Sequence, residues 1–174
     1  MNSSLLLSPA RRLSAPRTLR PVTTLQRVKP TDPATRVITD FAHEHPITVT
    51  EQRRIDDALE DMICFGVRAL LVVRGDKVTG LITSYDIQGE RPLQFLQSST
   101  YTRHDEIQVG HVMTALERVP ALDWEEVREA TVADIVELFA DTTATHLIVL
   151  ESGVDGSVLV RGLISRTRLG RQLA

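Results

Sequence analysis

Thr83 and Asp86 close the stretch GLITSYDI (80–87), and Ser165 and Arg168 hold the same two places in GLISRTRL (162–169). The hydroxyl is kept, but the residue three positions on changes from aspartate to arginine. A carboxylate only accepts hydrogen bonds and a guanidinium only donates them, so sites built on the two pairs cannot share one chemistry. Arg168 suits a phosphate, or an acidic side chain such as Glu151 or Asp155. A Thr-x-x-Asp pair also suits the first turn of a helix, with no ligand involved. Other constellations are weaker. His43 and His45 stand two apart at the end of an expected helix, where side chains point away from each other, so no shared metal is expected. His146 opens a buried strand as a core or cleft residue. Asp123, Glu125, Glu126 and Glu129 surround Trp124 and read as a solvated loop–helix segment, or as a docking site for a basic leader. There is no nucleophile–base pair, metal-ligand spacing or phosphate-cradling glycine loop, so no catalytic residue, metal or cofactor is assigned and an enzyme is not expected.

The elements that position these residues occur twice. "IDDALEDMI" (55–63) answers "VADIVELFA" (132–140), and "ALLVV" (69–73) answers "HLIVL" (146–150). Each copy reads β-α-β-β-α. In the first, residues 47–49 are a short strand, and Ile55, Ala58, Leu59, Met62 and Ile63 make one apolar helical face. Gly66 closes that helix, 70–73 is a strand buried on both faces, Gly75-Asp76 turns, and 78–83 returns. A second helix carries Pro92 in its first turn. In the second copy Thr131 caps a helix with Asp134 three residues on, and Val132, Ile135, Val136 and Phe139 form the apolar face. The extra residues fall in loops: "LDWEEVREA" before the second copy's helix and "SGVDGS" between its strands. Residues 34–43 read as a further helix, and the linker ends in a helical turn through Ile107, Val109, Val112 and Met113. A single unit of this size buries little apolar surface, whereas two can cover each other's sheets about a pseudo-twofold axis. An α/β (α+β) fold of two such repeats is expected.

The chain has 174 residues, a net charge of −3 and 42% hydrophobic residues, an ordinary globular composition. No apolar run approaches the ~20 residues that span a bilayer, the best candidate (62–73) carrying Arg68, so no membrane association is expected. The single cysteine, Cys64, excludes an internal disulfide and is expected buried, consistent with a cytoplasmic setting. Residues 1–30 hold basic and no acidic side chains, as a transit peptide or a basic arm lying on the acidic body would. The leader has no aromatic residue for base stacking, which argues against nucleic acid as a partner. The expected organisation is a basic arm (1–30), a first repeat with its preceding helix (31–100) and a second repeat (101–174).

The β-α-β-β-α order, the Gly-Leu-Ile-Thr-x-x-Asp ending of the first copy and the "HVMT" segment (111–114) that opens the second resemble a tandem pair of cystathionine-β-synthase (CBS) domains, the Bateman module. The resemblance covers about 47–88 and 112–170. It implies a regulatory module that binds an adenosyl compound (AMP, ADP, ATP or S-adenosylmethionine) between the copies, acts on a partner protein and forms homodimers. By the resemblance, Asp86 accepts the ribose hydroxyls, Thr83 bonds the ribose or first phosphate, Ile47 and Val49 flank the adenine and Arg68 faces phosphate. His146, Ser165 and Arg168 complete the candidate ligand-binding set. Two features depart from the family pattern: Leu71 stands where a proline is common, and Arg168 replaces the second aspartate. The competing reading is a ligand-free dimeric scaffold with its clefts filled by side chains, and an open cleft at Thr83 and Asp86 would discriminate against it. The paired helix faces (Leu59, Met62; Val136, Phe139) are the expected dimer surface.

Overall fold

The structure is a computed structural model and describes residues 26–174 except Thr102; most of the basic arm lies outside the described residues. The first repeat comprises β2 (Thr48–Thr50), α1 (Ile55–Phe65), β3 (Ala69–Arg74), β4 (Lys77–Thr83), α2 (Ser84–Gln88) and α3 (Arg91–Ser98). The second comprises β6 (Ala121–Asp123), α5 (Trp124–Glu129), α6 (Val132–Ala140), β7 (His146–Ser152), β8 (Val158–Ser165) and α7 (Arg166–Leu173). Two further strands, β1 (Ile38–Asp40) and β5 (Thr114–Ala115), precede the repeats, with α4 (Val109–Val112) just ahead of β5. The mixed α/β fold expected from the repeat is present. The second helix expected with Pro92 in its first turn is α3, a short further helix, α2, precedes it, and the acidic insertion around Trp124 forms α5.

Each preceding strand joins the other repeat's sheet. The orders are β2-β3-β4-β5 and β6-β7-β8-β1. β5, on the threshold of the second repeat, pairs with β4, and β1, on the threshold of the first, pairs with β8, both antiparallel. The helix expected at 34–43 is therefore absent: a 3-10 turn (Ala34–Arg36) leads into β1. A three-residue strand carries little local signal, and its extended form is set by a partner far along the chain.

The two sheets face each other. Along β3, Leu70 and Val72 point into the first repeat's helices, while Leu71 joins Leu81, Val119 and Ile148 between the sheets. β7 alternates likewise, Leu147 and Val149 inward and Ile148 toward the other sheet. This alternation makes both strands buried on both faces. The helices are fixed by their ends: Gly66 caps α1 at φ 67°, and α6 starts with the expected reciprocal Thr131–Asp134 box. Met62 and Phe139, assigned to a dimer face, are core residues, whereas Ile63, Phe65, Val136 and Leu138 are exposed. Cys64 is exposed rather than buried, because it lies on the outer side of α1's last turn. The described end of the arm lies against the second repeat: Val28 is buried, its N–H donating to the Gln172 carbonyl, and Ala133 donates to the Pro30 carbonyl.

The glycines of the two matching stretches sit where the exchanged strands cross. Gly80 faces Ala115 and Gly162 faces Asp40. A Cβ on Gly80 would lie 2.6 Å from the Thr114 carbonyl oxygen, and one on Gly162 would lie 2.4 Å from that of Thr39. Neither contact can be relieved by rotating a side chain. β1 is further held by Arg161, which forms ion pairs with Asp40 (2.7 Å) and Glu151 (2.9 Å) and lies over the Trp124 ring. Gly80→Ala and Gly162→Ala are each expected to lower unfolding free energy in urea titrations by ~1–3 kcal/mol through overpacking. Gly170→Ala, in α7 with open space around it, is expected to raise it by ~0.5–1 kcal/mol. The same sign for all three variants would refute the steric account.

Candidate functional site

The strand exchange leaves two clefts between the repeats. Cleft I, about 280 Å³, is lined by Thr83, Asp86, Arg91, Thr114 and Arg118 on one side and by the threonine-rich loop 142–145 and His146 on the other. Cleft II, about 330 Å³, is lined by Thr39, Phe41, Ile47, Arg68, Ser165 and Arg168 among others. The two correspond element by element. Thr83 and Asp86 at the β4–α2 junction match Ser165 and Arg168 at the β8–α7 junction. Thr114 of β5, opposite Leu81, matches Thr39 of β1, opposite Leu163.

The sequence-assigned ligand residues are thus divided. Thr83 and Asp86 line cleft I; Ile47, Arg68, Ser165 and Arg168 line cleft II; His146 lines both. Ile47 and Arg68, placed beside Asp86 on the sequence, stand in the opposite cleft. Val49 lines neither, because the alternation of β2 turns it into the first repeat's core. Arg91, Thr114 and Arg118 in cleft I, and Thr39, Phe41 and Arg171 in cleft II, were not assigned from sequence. One signal was available: VIT (37–39) and VMT (112–114) echo each other and deliver the two matching threonines.

Asp86 is held on both oxygens. Its Oδ2 accepts from the Thr83 N–H (2.8 Å) and the Thr83 hydroxyl (2.7 Å), forming a capping box at the start of α2. Its Oδ1 pairs with Arg91 at 2.9 Å, and Arg91 also donates to the Thr114 hydroxyl and the Val112 carbonyl. The Thr-x-x-Asp geometry alone does not mark a site, since Thr131 and Asp134 make the same box away from either cleft. Position at a cleft and the arginine partner distinguish Asp86. In the second repeat the box is gone: Ser165 accepts only from the Arg168 N–H. The Arg168 guanidinium instead donates to the Thr39 hydroxyl at 2.6 Å, and it pairs with neither Glu151, which Arg161 holds, nor Asp155, which Ser157 holds. Arg166 pins the loop of cleft I by donating to the Ala144 and Phe139 carbonyls.

His146 is the wall common to both clefts. It is 8% exposed, with its Nδ1 3.0 Å from the Thr145 hydroxyl. Burial penalises the imidazolium and brings its pKa down to about 4, an effect only partly opposed by the negative charge of Asp86. The ring is therefore neutral near pH 7 and reads as a hydrogen-bonding partition between the clefts. Because the unfolded chain takes up this proton near pH 6.5, and the folded protein only near 4, stability falls as pH drops through that window, by up to ~3 kcal/mol. Melting curves at pH 6.5 and about 4 are expected to show a larger loss for the wild type than for His146→Gln. Equal losses would remove His146 as the cause.

Residues 37–91 match the CBS domain family model. No curated protein sequence matches the chain. Among solved structures, a candidate signal-transduction protein with CBS domains from Burkholderia ambifaria is 27% identical at a TM-score of 0.56, with 74% of this chain and 82% of that one covered. CBSX2 in complex with AMP is 24% identical (TM-score 0.51; 80% and 94% covered). MJ1225 from Methanocaldococcus jannaschii, described as a candidate archaeal homologue of the AMPK γ chain, is 18% identical (TM-score 0.55; 84% and 49% covered). The last two show likeness of fold. The family match ends at Arg91, the first residue of α3, and the second repeat carries the same strand order with its own insertions. Residues 37–91 match the CBS domain family, and the chain as a whole is similar in fold to solved CBS-domain proteins.

Proposed function

We propose that the protein is a non-catalytic regulatory module that binds an adenosyl nucleotide in cleft I and passes its occupancy to a partner protein. The observation that carries this reading is an open cleft between the repeats with the Asp86 carboxylate at its wall and Arg118 beside it. The cleft is not filled by side chains, which favours ligand sensing over a scaffold with plugged clefts. Its volume is close to the lower bound for small-ligand sites. In this reading Asp86 accepts the ribose hydroxyls on lone pairs not used by Thr83 and Arg91, and the Thr83 hydroxyl orients that carboxylate. Arg118, which holds no carboxylate among the described residues, takes the phosphate as a multidentate donor. AMP bound to CBSX2 and the AMPK γ likeness of MJ1225 support the choice of ligand class. Transfer of the signal follows from the site's position, since a ligand there touches both repeats and changes the free energy of their arrangement.

Titration calorimetry with AMP and adenosine tests the reading. Asp86→Ala is expected to weaken both ligands about ten- to hundredfold, the loss of hydrogen bonds to a charged acceptor. Asp134→Ala breaks the same kind of capping box outside either cleft, so it controls for helix destabilisation and is expected to leave affinity unchanged. No binding by the wild type, or equal losses in both variants, overturns the proposal. The homodimer belongs to the same reading, its surface now Ile63, Phe65, Val136 and Leu138. Sedimentation as a monomer at micromolar concentration would remove it.

A further inference from the structure

Arg91, the first residue of α3, serves three acceptors through one nitrogen. Its Nη1 donates to the Val112 carbonyl at 2.8 Å and to the Thr114 hydroxyl at 2.9 Å, and it lies 2.9 Å from Asp86 Oδ1. An Nη nitrogen carries two hydrogens, and Val112 and Thr114 take both. Asp86 is therefore held by charge, and the Oδ1 lone pairs stay open to cleft I. Val112 is the last residue of α4, where carbonyls have no intrahelical partner, and Arg91 supplies one. This bond joins residues 21 positions apart, so Arg91 ties the start of α3 to the end of α4, and through Thr114 to β5. The two helices meet again where the Phe95 and His111 rings stack, with centroids 4.3 Å apart. α3 and α4 thus close on each other between the repeats, and the nitrogen that closes them sits at the wall of cleft I. The Asp86 side chain is 12% exposed and that of Arg91 44%, so water still reaches the pair. An ion pair open to water contributes little, and it strengthens as water is excluded.

We infer that Arg91 is a positioning residue that couples cleft I to α3 and α4: a ribose on Asp86 covers the cleft side of the Asp86–Arg91 pair, strengthens the pair by excluding water, and tightens the tie that closes the two helices on each other. This coupling rests on the reading of cleft I as an adenosyl site. It gives the occupancy of that site a route to the surface, because α3 presents the exposed Leu93 and Gln94 to solvent. Linkage makes the effect reciprocal: the factor by which the bound nucleoside tightens the tie is the factor by which loss of the tie weakens the nucleoside. Arg91 acts on affinity through Asp86, without touching the ribose.

Amide hydrogen exchange of the full chain, with and without saturating adenosine, measures the tie; adenosine has no phosphate and so attracts no arginine by charge. In the wild type adenosine is expected to slow exchange in α3 and α4 about tenfold, an ordinary coupling between linked sites. Arg91→Gln is expected to speed exchange of both helices in the ligand-free protein. It is also expected to weaken adenosine about tenfold in titration calorimetry and to cut the slowing by adenosine to about twofold or less. A residue that only holds the helices would speed ligand-free exchange and leave the effect of adenosine as it was; that result overturns the coupling. Unchanged ligand-free exchange in Arg91→Gln overturns the tie itself, whatever the calorimetry gives. Thr114→Val removes one hydrogen bond and keeps the ion pair, so it is expected to move each reading the same way by less. It carries the test should Arg91→Gln fail to fold, and no change in any reading then overturns the coupling. Adenosine bound by the wild type without slowing α3 and α4 overturns the coupling and leaves the site in place. No adenosine binding by the wild type overturns the reading of cleft I, and the coupling with it.

Discussion

The close crossing of β1 over Gly162 and of β5 over Gly80 is the contact on which everything else in this molecule rests. Backbone lies on backbone there, with no room for a side chain between. Because each crossing strand comes from the threshold of the other repeat, the two sheets are tied to each other before any side chain between them is considered. The clefts are a consequence. Thr39 and Thr114 reach their places only because β1 and β5 have changed sheets, and each then anchors an arginine, Arg168 in one cleft and Arg91 in the other.

Symmetry of backbone and asymmetry of charge are separate layers here. The bulges fall at matching places, between Val72 and Val73 and between Val149 and Leu150. The residues extruded by them do different work: Thr79 bonds Glu51, whereas Arg161 clamps Asp40 to Glu151. The same holds at the helix starts, where Asp86 completes a capping box and Arg168 forgoes one. A capping box contributes roughly 1 kcal/mol to a helix, so its loss is affordable in a structure with two cores of packed aliphatic residues. The duplicated frame tolerates such exchanges, and the two clefts have diverged without disturbing it.

Much of this was legible along the chain. The apolar runs of β3 and β7, the Gly66 cap and the Thr131–Asp134 box are local, and each has the form read from sequence. What depended on distant partners was not. β1 was read as helix because its three residues acquire their conformation from β8. The grouping of Ile47 and Arg68 with Asp86 failed because cleft membership follows from which sheet each threshold strand joins. Val49 turned inward because a short strand's parity is fixed by its parallel pairing to Val72. Ile63, Cys64 and Phe65 lie outside since the apolar residues of α1 exceed the arc that its sheet can cover, and composition cannot say which of them lose.

The exchange also orders events in time. The contact between Asp40 and Arg161 joins residues 121 positions apart, so the second sheet cannot close until β8 has been made. During synthesis β1 emerges early and has no edge to join, while β4 waits only for the short stretch ending at β5. Long-range pairing of this kind slows folding because a large loop must close before the pairing repays it. The first sheet can close once β5 has been made; the second closes only when β8 meets β1, the earliest strand among the described residues.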